Sequence, residues 1–146
     1  MSFTFPPFIY DLGSISKLAF DKESKEYDAC DFILDNKKTK YRAAKTTPTK
    51  AGKFVTLWKR SEEGPIAPYD LDDEFDQVII AYSNSEYFIF PKSELAKHKI
   101  IANPSAEGKR AFRIYSPNLK DLNKQATKTQ KWQMSFYYVP PSYSDA

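Results

Sequence analysis

The apolar and polar positions of this chain alternate over long stretches, with a period close to two that predicts strands. Segments rich in β-branched and aromatic residues predict strands at residues 30–35, 38–45, 53–60, 76–82, 86–91 and 109–115. Polar turns at Asn36 and Asn84 separate two pairs of these segments, which favours a hairpin at each place. We therefore expect a twisted mixed or antiparallel sheet.

Two segments depart from this alternation and predict helices. The first, residues 91–99, begins at Pro91, which suits the first turn of a helix because proline lacks a backbone N–H. The second, residues 122–138, follows a candidate cap at Asp121. One face of this helix is expected to carry its small and apolar residues, namely Leu122, Ala126, Thr129 and Met134 or Gln133.

Strands followed by late helices predict an α+β fold, with the helices flanking the sheet, in a single domain, residues 1–146. The two ends are expected to differ from the rest. Residues 1–13 contain prolines, a glycine and several rings, and they predict an aromatic N-terminal arm. Residues 139–146 predict a loose tail.

Composition narrows the class of protein. No segment approaches the ~20 apolar residues that a bilayer crossing requires, and the first residues lack the basic and apolar regions of a signal peptide. A soluble cytoplasmic protein with no membrane partner is therefore expected. The one cysteine, Cys30, is interpreted as a small apolar filler, and the one histidine, His98, as a surface residue. One of each cannot build a Cys/His metal site, so neither a metal nor a cofactor is expected.

The net charge of +3 is small, but the charges are unevenly distributed along the chain. Residues 36–60 hold nine Lys and Arg and no acid, and residues 109–132 hold seven bases and one acid. Between them, residues 61–76 hold seven acids and no base. This acidic segment lacks the pattern of a calcium loop, so it is interpreted as an exposed loop that also has the option of shielding the basic segments.

Aromatic residues are interleaved with the two basic segments, a combination typical of proteins that bind single-stranded nucleic acid. Phosphate contacts are expected from Arg42, Lys45, Lys50, Lys53, Lys59, Arg60, Arg110, Arg113, Lys124 and Lys128, and base contacts from Tyr41, Trp58 and Trp132. A second interpretation remains open, in which rings such as Trp58, Phe54 and Phe112 are core residues and the lysines only solvate the surface.

Four long segments carry a resemblance to a known family. KYRAAKTTPTKAGKFVTLWKR (40–60), YFIFPKSEL (87–95), GKRAFRIYSP (108–117) and NKQATKTQKWQ (123–133) resemble the signature segments of the MepB family, in the same order. The resemblance covers about residues 23–135 of the chain. It implies a fold like that of the PD-(D/E)XK nucleases and a role in binding RNA or DNA. It also implies an association with bacterial drug-efflux operons.

The catalytic motif of those nucleases is incomplete in this sequence. The motif needs one carboxylate and, on a neighbouring strand, a second carboxylate two residues before a lysine, because the two acids hold Mg²⁺. Asp76 and Lys92 are the favoured remnant, but Phe90 stands at the second acidic position. The other placement, Asp31 and Asp35 before Lys45, has Ala43 there. We therefore expect a non-catalytic binder with no metal site.

Two further functions stay open at this point. A metal-dependent nuclease remains possible if Glu86, Glu94 or an acid of residues 70–76 replaces the missing carboxylate. A protein-interaction or ligand-sensing module linked to drug efflux is the other alternative, and the aromatic arm 1–10 is its candidate docking segment.

Overall fold

The computed structural model describes residues 5–61 and 64–140. In chain order its strands are β1 Ile15–Phe20, β2 Cys30–Leu34, β3 Lys37–Ala43, β4 Lys45–Thr46, β5 Lys53–Thr56, β6 Lys59–Arg60, β7 Ile66–Ala67, β8 Gln77–Ser83, β9 Glu86–Pro91, β10 Ala111–Ile114 and β11 Tyr137–Tyr138. The α-helices of this part of the chain are α1 Lys92–Lys97 and α2 Lys124–Gln133. Short 3-10 helices span Pro7–Asp11, Lys22–Tyr27 and Met134–Phe136. This mixture confirms the α+β prediction.

The larger sheet has six strands in the order β1-β2-β3-β8-β9-β11. The central pair, β3 and β8, is parallel, with Tyr41 opposite Ile79, and the other neighbouring strands are antiparallel. Residues 77–82 of β8 are buried without interruption, which is expected of a strand that is covered on both faces. The sheet therefore needs a packing layer on each side.

Each face of this sheet builds its own hydrophobic core. On one face, Ile79 and Cys30 pack with Phe5, Phe8 and Ile9 of the N-terminal arm. Residues 5–12 of the arm are thus held against the domain, with Phe8 stacked on Tyr87 at 4.1 Å between ring centroids. The opposite face forms the second core with the smaller sheet and the helices.

A second, three-stranded sheet in the order β10-β5-β4 covers that opposite face. Its strands are antiparallel, with Phe112 opposite Val55. Val55 and Ile114 are fully buried against Ile80 and Phe88 of the larger sheet. Strands β6 and β7 form a separate two-stranded pair. The smaller sheet and α2 provide the walls of the site described below.

The strand predictions are confirmed in four segments and need correction in two. The segment 38–45 is divided at Ala44, because β3 belongs to the larger sheet and β4 to the smaller one. The segment 53–60 is not one strand, because the ladder breaks at Leu57 and Trp58 and separates β5 from β6. Strand β1 was not predicted, because five of its six residues are exposed and the alternation that marks a buried face is missing. A bulge interrupts its pairing, and Lys17 there has φ 55°.

The helix predictions are correct in place but wrong in detail. Helix α2 begins after Asn123, whose side chain accepts a hydrogen bond from the N–H of Ala126, so Asn123 is the cap and not Asp121. It ends at Gln133, where a 3-10 turn and β11 follow, and Met134 is exposed rather than on the inner face. Pro91 ends β9 and precedes α1 instead of lying in its first turn. Residues 141–146 of the expected tail lie outside the described residues.

Two interpretations from composition can be compared with this fold. Cys30 is fully buried, and burial raises the pKa of its thiol to about 12, so it fills space as expected. Within residues 5–61 and 64–140, no helix combines the length and the apolar character that a membrane crossing needs.

Candidate functional site

An open cleft of about 750 Å³ lies between the smaller sheet and α2. Its cationic lining residues are Lys50, Lys109 and Arg113, and its aromatic lining residues include Phe54, Tyr115, His98 and Trp132. Asp121 is the acid among the lining residues. The cleft thus combines positive charge with ring surfaces in one concave place.

Gln133 holds the two walls of the cleft together. Its side chain is completely buried, and its Oε1 accepts a hydrogen bond from the backbone N–H of Tyr115 at 2.9 Å. Its Nε2 donates to the carbonyl oxygen of Arg113 at 3.0 Å. Both groups lie at the C-terminal end of β10, where the ladder with β5 stops. One glutamine of α2 therefore replaces a strand neighbour and fixes the distance between helix and sheet.

Arg113 fixes the loop of residues 47–52 that carries Lys50. Its Nη2 donates to Thr47 Oγ1 at 2.7 Å and to the carbonyl oxygens of Gly52 and Lys50, and its Nε donates to the carbonyl oxygen of Ala51 at 3.0 Å. The guanidinium is therefore engaged in positioning the loop, and its role as a phosphate contact stays a prediction.

Gly52 closes the same loop in a conformation that favours glycine. Its φ is 75°, and a Cβ at this position would lie 2.6 Å from the carbonyl oxygen of Ile114 and from Tyr115 Cδ1. A larger residue at position 52 would therefore push the loop away from β10, and Lys50 with it.

Two rings from different elements stack at the end of the cleft near α1. His98 follows α1 directly, and its imidazole lies parallel to the indole of Trp132, with 3.8 Å between centroids and 6° between planes. His98 Nε2 is 3.7 Å from Glu94 Oε1. Burial lowers the pKa of His98, Glu94 opposes this and Lys97 lowers the pKa further, so the neutral form of the ring is favoured. His98 is thus a half-buried residue that lines the cleft.

Most of the first basic segment is neutralised by acids that are distant in sequence. The closest nitrogen–oxygen distances are 3.0 Å for Lys38–Glu74, 3.2 Å for Lys40–Asp31, 3.4 Å for Lys45–Glu26, 2.8 Å for Lys59–Asp73 and 2.8 Å for Arg60–Glu23. Asp70 also lies 3.5 Å from Lys59. The acidic segment therefore shields part of this basic surface, which was one of the roles considered for it. Lys45, Lys59 and Arg60 are consequently poor candidates for phosphate contacts.

Three other residues of the expected interface point away from solvent or are already engaged. Tyr41 and Arg42 are each 1% exposed, Tyr41 within the core and Arg42 donating through Nη1 to the carbonyl oxygen of Tyr41. Lys53 donates to the carbonyl oxygen of Tyr82 and lies over its ring. Layers packed on the two faces of the sheet bury Tyr41 and Arg42, so neither side chain is accessible to a ligand. Burial contradicts the expected surface roles of Tyr41 and Arg42, whereas that of Lys53 stays a prediction.

The second basic segment remains free of ion pairs among the described residues. Lys124 and Lys128 of α2 are exposed, and neither of them lines the cleft. Arg110 is exposed and donates to the carbonyl oxygen of Ile66 at 3.3 Å. These cations contribute to the charge around the cleft rather than to its lining.

The remaining rings differ in availability. Trp58 is half-buried beside the guanidinium of Arg60, 5.7 Å from the ring centroid, and it does not line the cleft. Trp132 does line it, but His98 covers one side of its ring. Of the expected interface residues, only Lys50, Arg113 and Trp132 are brought together in the cleft.

Lys109, Phe54, Tyr115 and His98 are cleft residues that the sequence did not identify as site residues. The alternation in residues 109–115 did indicate a half-exposed strand. It could not show which neighbour the exposed face meets, because β10 pairs with β5, more than fifty positions earlier in the chain. The sequence pattern therefore indicated the strand but not the cleft that the strand lines.

The favoured nuclease remnant lies elsewhere, at a shallow depression of about 370 Å³ lined by Asp76 and Lys92. Asp76 Oδ2 accepts a hydrogen bond from the backbone N–H of Lys38 at 2.7 Å, so this carboxylate caps the start of β3. Lys92 Nζ donates to the carbonyl oxygen of Asp73. Phe90, at the position of the missing acid, is completely buried in the second core.

Three of the alternative carboxylates are engaged away from Lys92 and Lys45. Asp35 accepts from the N–H of Ser14 at 2.9 Å, and Asp31 pairs with Lys40. Glu86, at the far end of β9 from Lys92, accepts hydrogen bonds from Ser116 Oγ at 2.5 Å and Tyr137 Oη at 2.7 Å. Within residues 5–61 and 64–140, no group of three or more His, Cys, Asp or Glu side chains is arranged to hold a metal ion.

Comparison with known proteins agrees with the resemblance seen in the sequence. A search of curated proteins returned no match. A solved structure described as the crystal structure of MepB is similar, with a TM-score of 0.84 and 34% sequence identity over 92% of this chain and 93% of the other. The sequence model of the MepB-like family matches residues 21–139, which is most of the chain. The chain therefore belongs to the MepB-like family.

Proposed function

We propose that this protein binds an unpaired strand of RNA or DNA in the cleft between the smaller sheet and α2, without cleaving it. The observation that carries the proposal is the presence of Lys50 and Lys109 in a cleft whose walls also present Phe54, Tyr115 and His98. Cations neutralise phosphates and rings stack on bases, so the two kinds of lining residue suit the two parts of a nucleotide.

The distribution of free charge supports this location. The acids of residues 23–31 and 70–74 pair with the first basic segment. The second segment has no such partners among the described residues, and Lys124 and Lys128 add positive potential beside the cleft. An anionic polymer is therefore drawn to the side of the molecule that holds the cleft.

The rings favour a single strand over a duplex. They lie within a cleft rather than on a protruding helix, and a paired base cannot turn its face toward them while it stays stacked in a helix. Unpaired bases have both faces available, and stacking on them depends little on sequence.

We further propose that the protein has a restriction-endonuclease-like architecture and that it is cytoplasmic. The parallel β3–β8 pair and the short helix directly after β9 are compatible with a restriction-endonuclease-like architecture that has lost its catalytic acid. The carboxylate of Asp76 accepts a hydrogen bond from the backbone N–H of Lys38, which supports a structural role for Asp76. The single buried thiol of Cys30 is compatible with a reducing cytoplasm.

Fluorescence anisotropy with labelled single-stranded RNA, single-stranded DNA and duplex DNA tests the proposal. The affinity for single strands should exceed that for duplex and should fall steeply between about 50 and 200 mM salt, because bound phosphates release counterions. The double variant Lys50→Glu, Lys109→Glu should abolish binding. Its matched control, Lys22→Glu with Lys37→Glu, changes the net charge equally at exposed positions outside the cleft and should retain most of the affinity.

Equal losses in the two double variants would place binding outside the cleft, and salt-independent binding would exclude a phosphate-driven mode. The same samples, incubated with Mg²⁺ or Mn²⁺ and run on a denaturing gel, test the non-catalytic part. Intact strands are expected, and cleavage that disappears in Asp76→Ala would overturn it.

A further inference from the structure

The stacked rings of His98 and Trp132 lie together in the lining of the cleft. Trp132 is covered by His98 on one side and lies against Phe90 and Phe136, at centroid distances of 5.5 Å and 6.5 Å. Three rings thus contact its indole, which is partly buried and also lines the cleft. The His98 side chain is 24% exposed and lines the cleft, so the imidazole presents its own surface there.

The imidazole is well supported in this position. Trp132 lies flat against one face of the ring. The backbone N–H of His98 donates to the carbonyl oxygen of Glu94 at 3.0 Å, which fixes the backbone of His98 at the end of α1. A neutral imidazole backed by an indole is a rigid aromatic surface that needs little ordering when a ligand binds.

The backbone of Lys109 is held close to the segment that carries His98. The backbone N–H of Lys109 donates to the carbonyl oxygen of Ile100 at 2.9 Å, and Ile100 follows His98 by two residues. Lys109 is exposed, lines the cleft and has no ion-pair partner among the described residues. The imidazole of His98 suits contact with a base, and the ammonium group of Lys109 in the same cleft suits contact with the adjoining phosphate.

We propose that one unpaired base of the bound strand stacks on the free face of His98, with Trp132 as its backing and Lys109 facing the neighbouring phosphate. This inference rests on the proposed function and deepens it, because it makes His98 the residue that distinguishes a strand with bases from a bare phosphate chain. Trp132 then acts through His98 as a positioning residue.

The test uses two labelled DNA strands of about twelve nucleotides, one with normal bases and one with abasic sites throughout, in anisotropy titrations with the full chain. His98→Ala should weaken binding of the normal strand about 10-fold and leave the abasic strand unchanged. His98→Phe keeps an aromatic face and should retain most of the affinity. Equal weakening of both strands by His98→Ala would overturn the inference.

A measurement on the unmodified protein avoids reliance on the variant folding. His98 is the one histidine of the chain, so its imidazole proton signals identify it directly in NMR spectra. The normal strand should move these signals upfield through the ring current of the stacked base, and the abasic strand should not. Binding of the normal strand without an upfield shift would exclude the stack, whereas failure of both strands to bind would reject the proposed function itself.

Discussion

The buried amide of Gln133 occupies the hydrogen-bonding place that a strand would take beside Tyr115, with its Oε1 2.9 Å from the backbone nitrogen of that residue. Together with the bond to the carbonyl oxygen of Arg113, this contact joins α2 to the edge of the smaller sheet. Residues of both elements line the cleft, so this contact helps to fix the position of one wall relative to the other.

We expect Gln133→Leu to lower the free energy of unfolding by about 1–3 kcal/mol, because it leaves the N–H of Tyr115 and the carbonyl of Arg113 buried without partners. Urea denaturation followed by far-UV circular dichroism measures the change. Gln125→Leu, at an exposed position on the same helix, is the control and should change stability little. Equal effects of the two substitutions would contradict the role assigned to Gln133.

Arg113→Lys keeps the positive charge but removes the planar set of donors that holds Thr47, Ala51 and Gly52. The loop should loosen, with faster tryptic cleavage after Lys50 and a loss of about 1–3 kcal/mol in the free energy of unfolding. Arg110→Lys is the matched control, since Arg110 makes one hydrogen bond, of 3.3 Å, to Ile66. A cleavage rate that is the same in both variants would show that Arg113 does not hold the loop.

Arg42 is a buried cation whose Nε has no hydrogen-bond partner within the described residues. Arg42→Met should leave the free energy of unfolding unchanged or raise it, because a buried charge is replaced by an apolar side chain of similar length. Arg42→Ala should instead lower it by about 2–4 kcal/mol through the cavity that it opens. Thermal and urea unfolding of both variants give the comparison.

The same pair of variants separates a core residue from a binding residue. Nucleic-acid affinity should be unchanged in Arg42→Met, because the guanidinium is 1% exposed. A loss of affinity in a fully folded Arg42→Met variant would show that Arg42 contributes to nucleic-acid binding.

The pair Lys59–Asp73 links stability to pH. Burial alone raises the pKa of Asp73, but the hydrogen bond from Lys59, the bond from the N–H of Asp70 and the nearby lysine charges lower it overall. The pair therefore stabilises the fold above the unfolded pKa of about 3.9, and this contribution is lost as the pH falls through the folded pKa. Asp73→Asn should cost about 1 kcal/mol at pH 7 and progressively less toward pH 3.

Melting temperatures of the wild type and Asp73→Asn between pH 7 and pH 3 test this expectation. Glu74→Gln serves as the control, because Glu74 and its partner Lys38 are exposed and water screens their attraction. A difference between wild type and Asp73→Asn that persists unchanged at pH 3 would mean that the charge of Asp73 is not its source.

The sequence by itself determined the strands in which alternation or continuous apolar character is strong, such as β2, β3, β8 and β9. In those segments the pattern of neighbouring side chains is a local property, so it can be read without knowledge of the partners. It also carried the family resemblance and the α+β class. Strand β1 was missed because it is an exposed edge strand with a bulge at Lys17, so its sequence lacks the alternation of a half-buried strand.

Tertiary structure alone decided which cations are free and where the cleft lies. Lys38 and Glu74 are 36 positions apart, and their pairing depends on how β3 and β8 meet in the sheet. Lys59 and Asp73 are 14 positions apart, and their pairing depends on where β6 lies relative to the segment before β8. The parity of residues along a strand shows that Lys40 and Arg42 share a face, but only the layer packed on that face makes it interior. Local patterns specify elements, whereas charge neutralisation and concave surfaces arise from contacts between elements that are far apart in the chain.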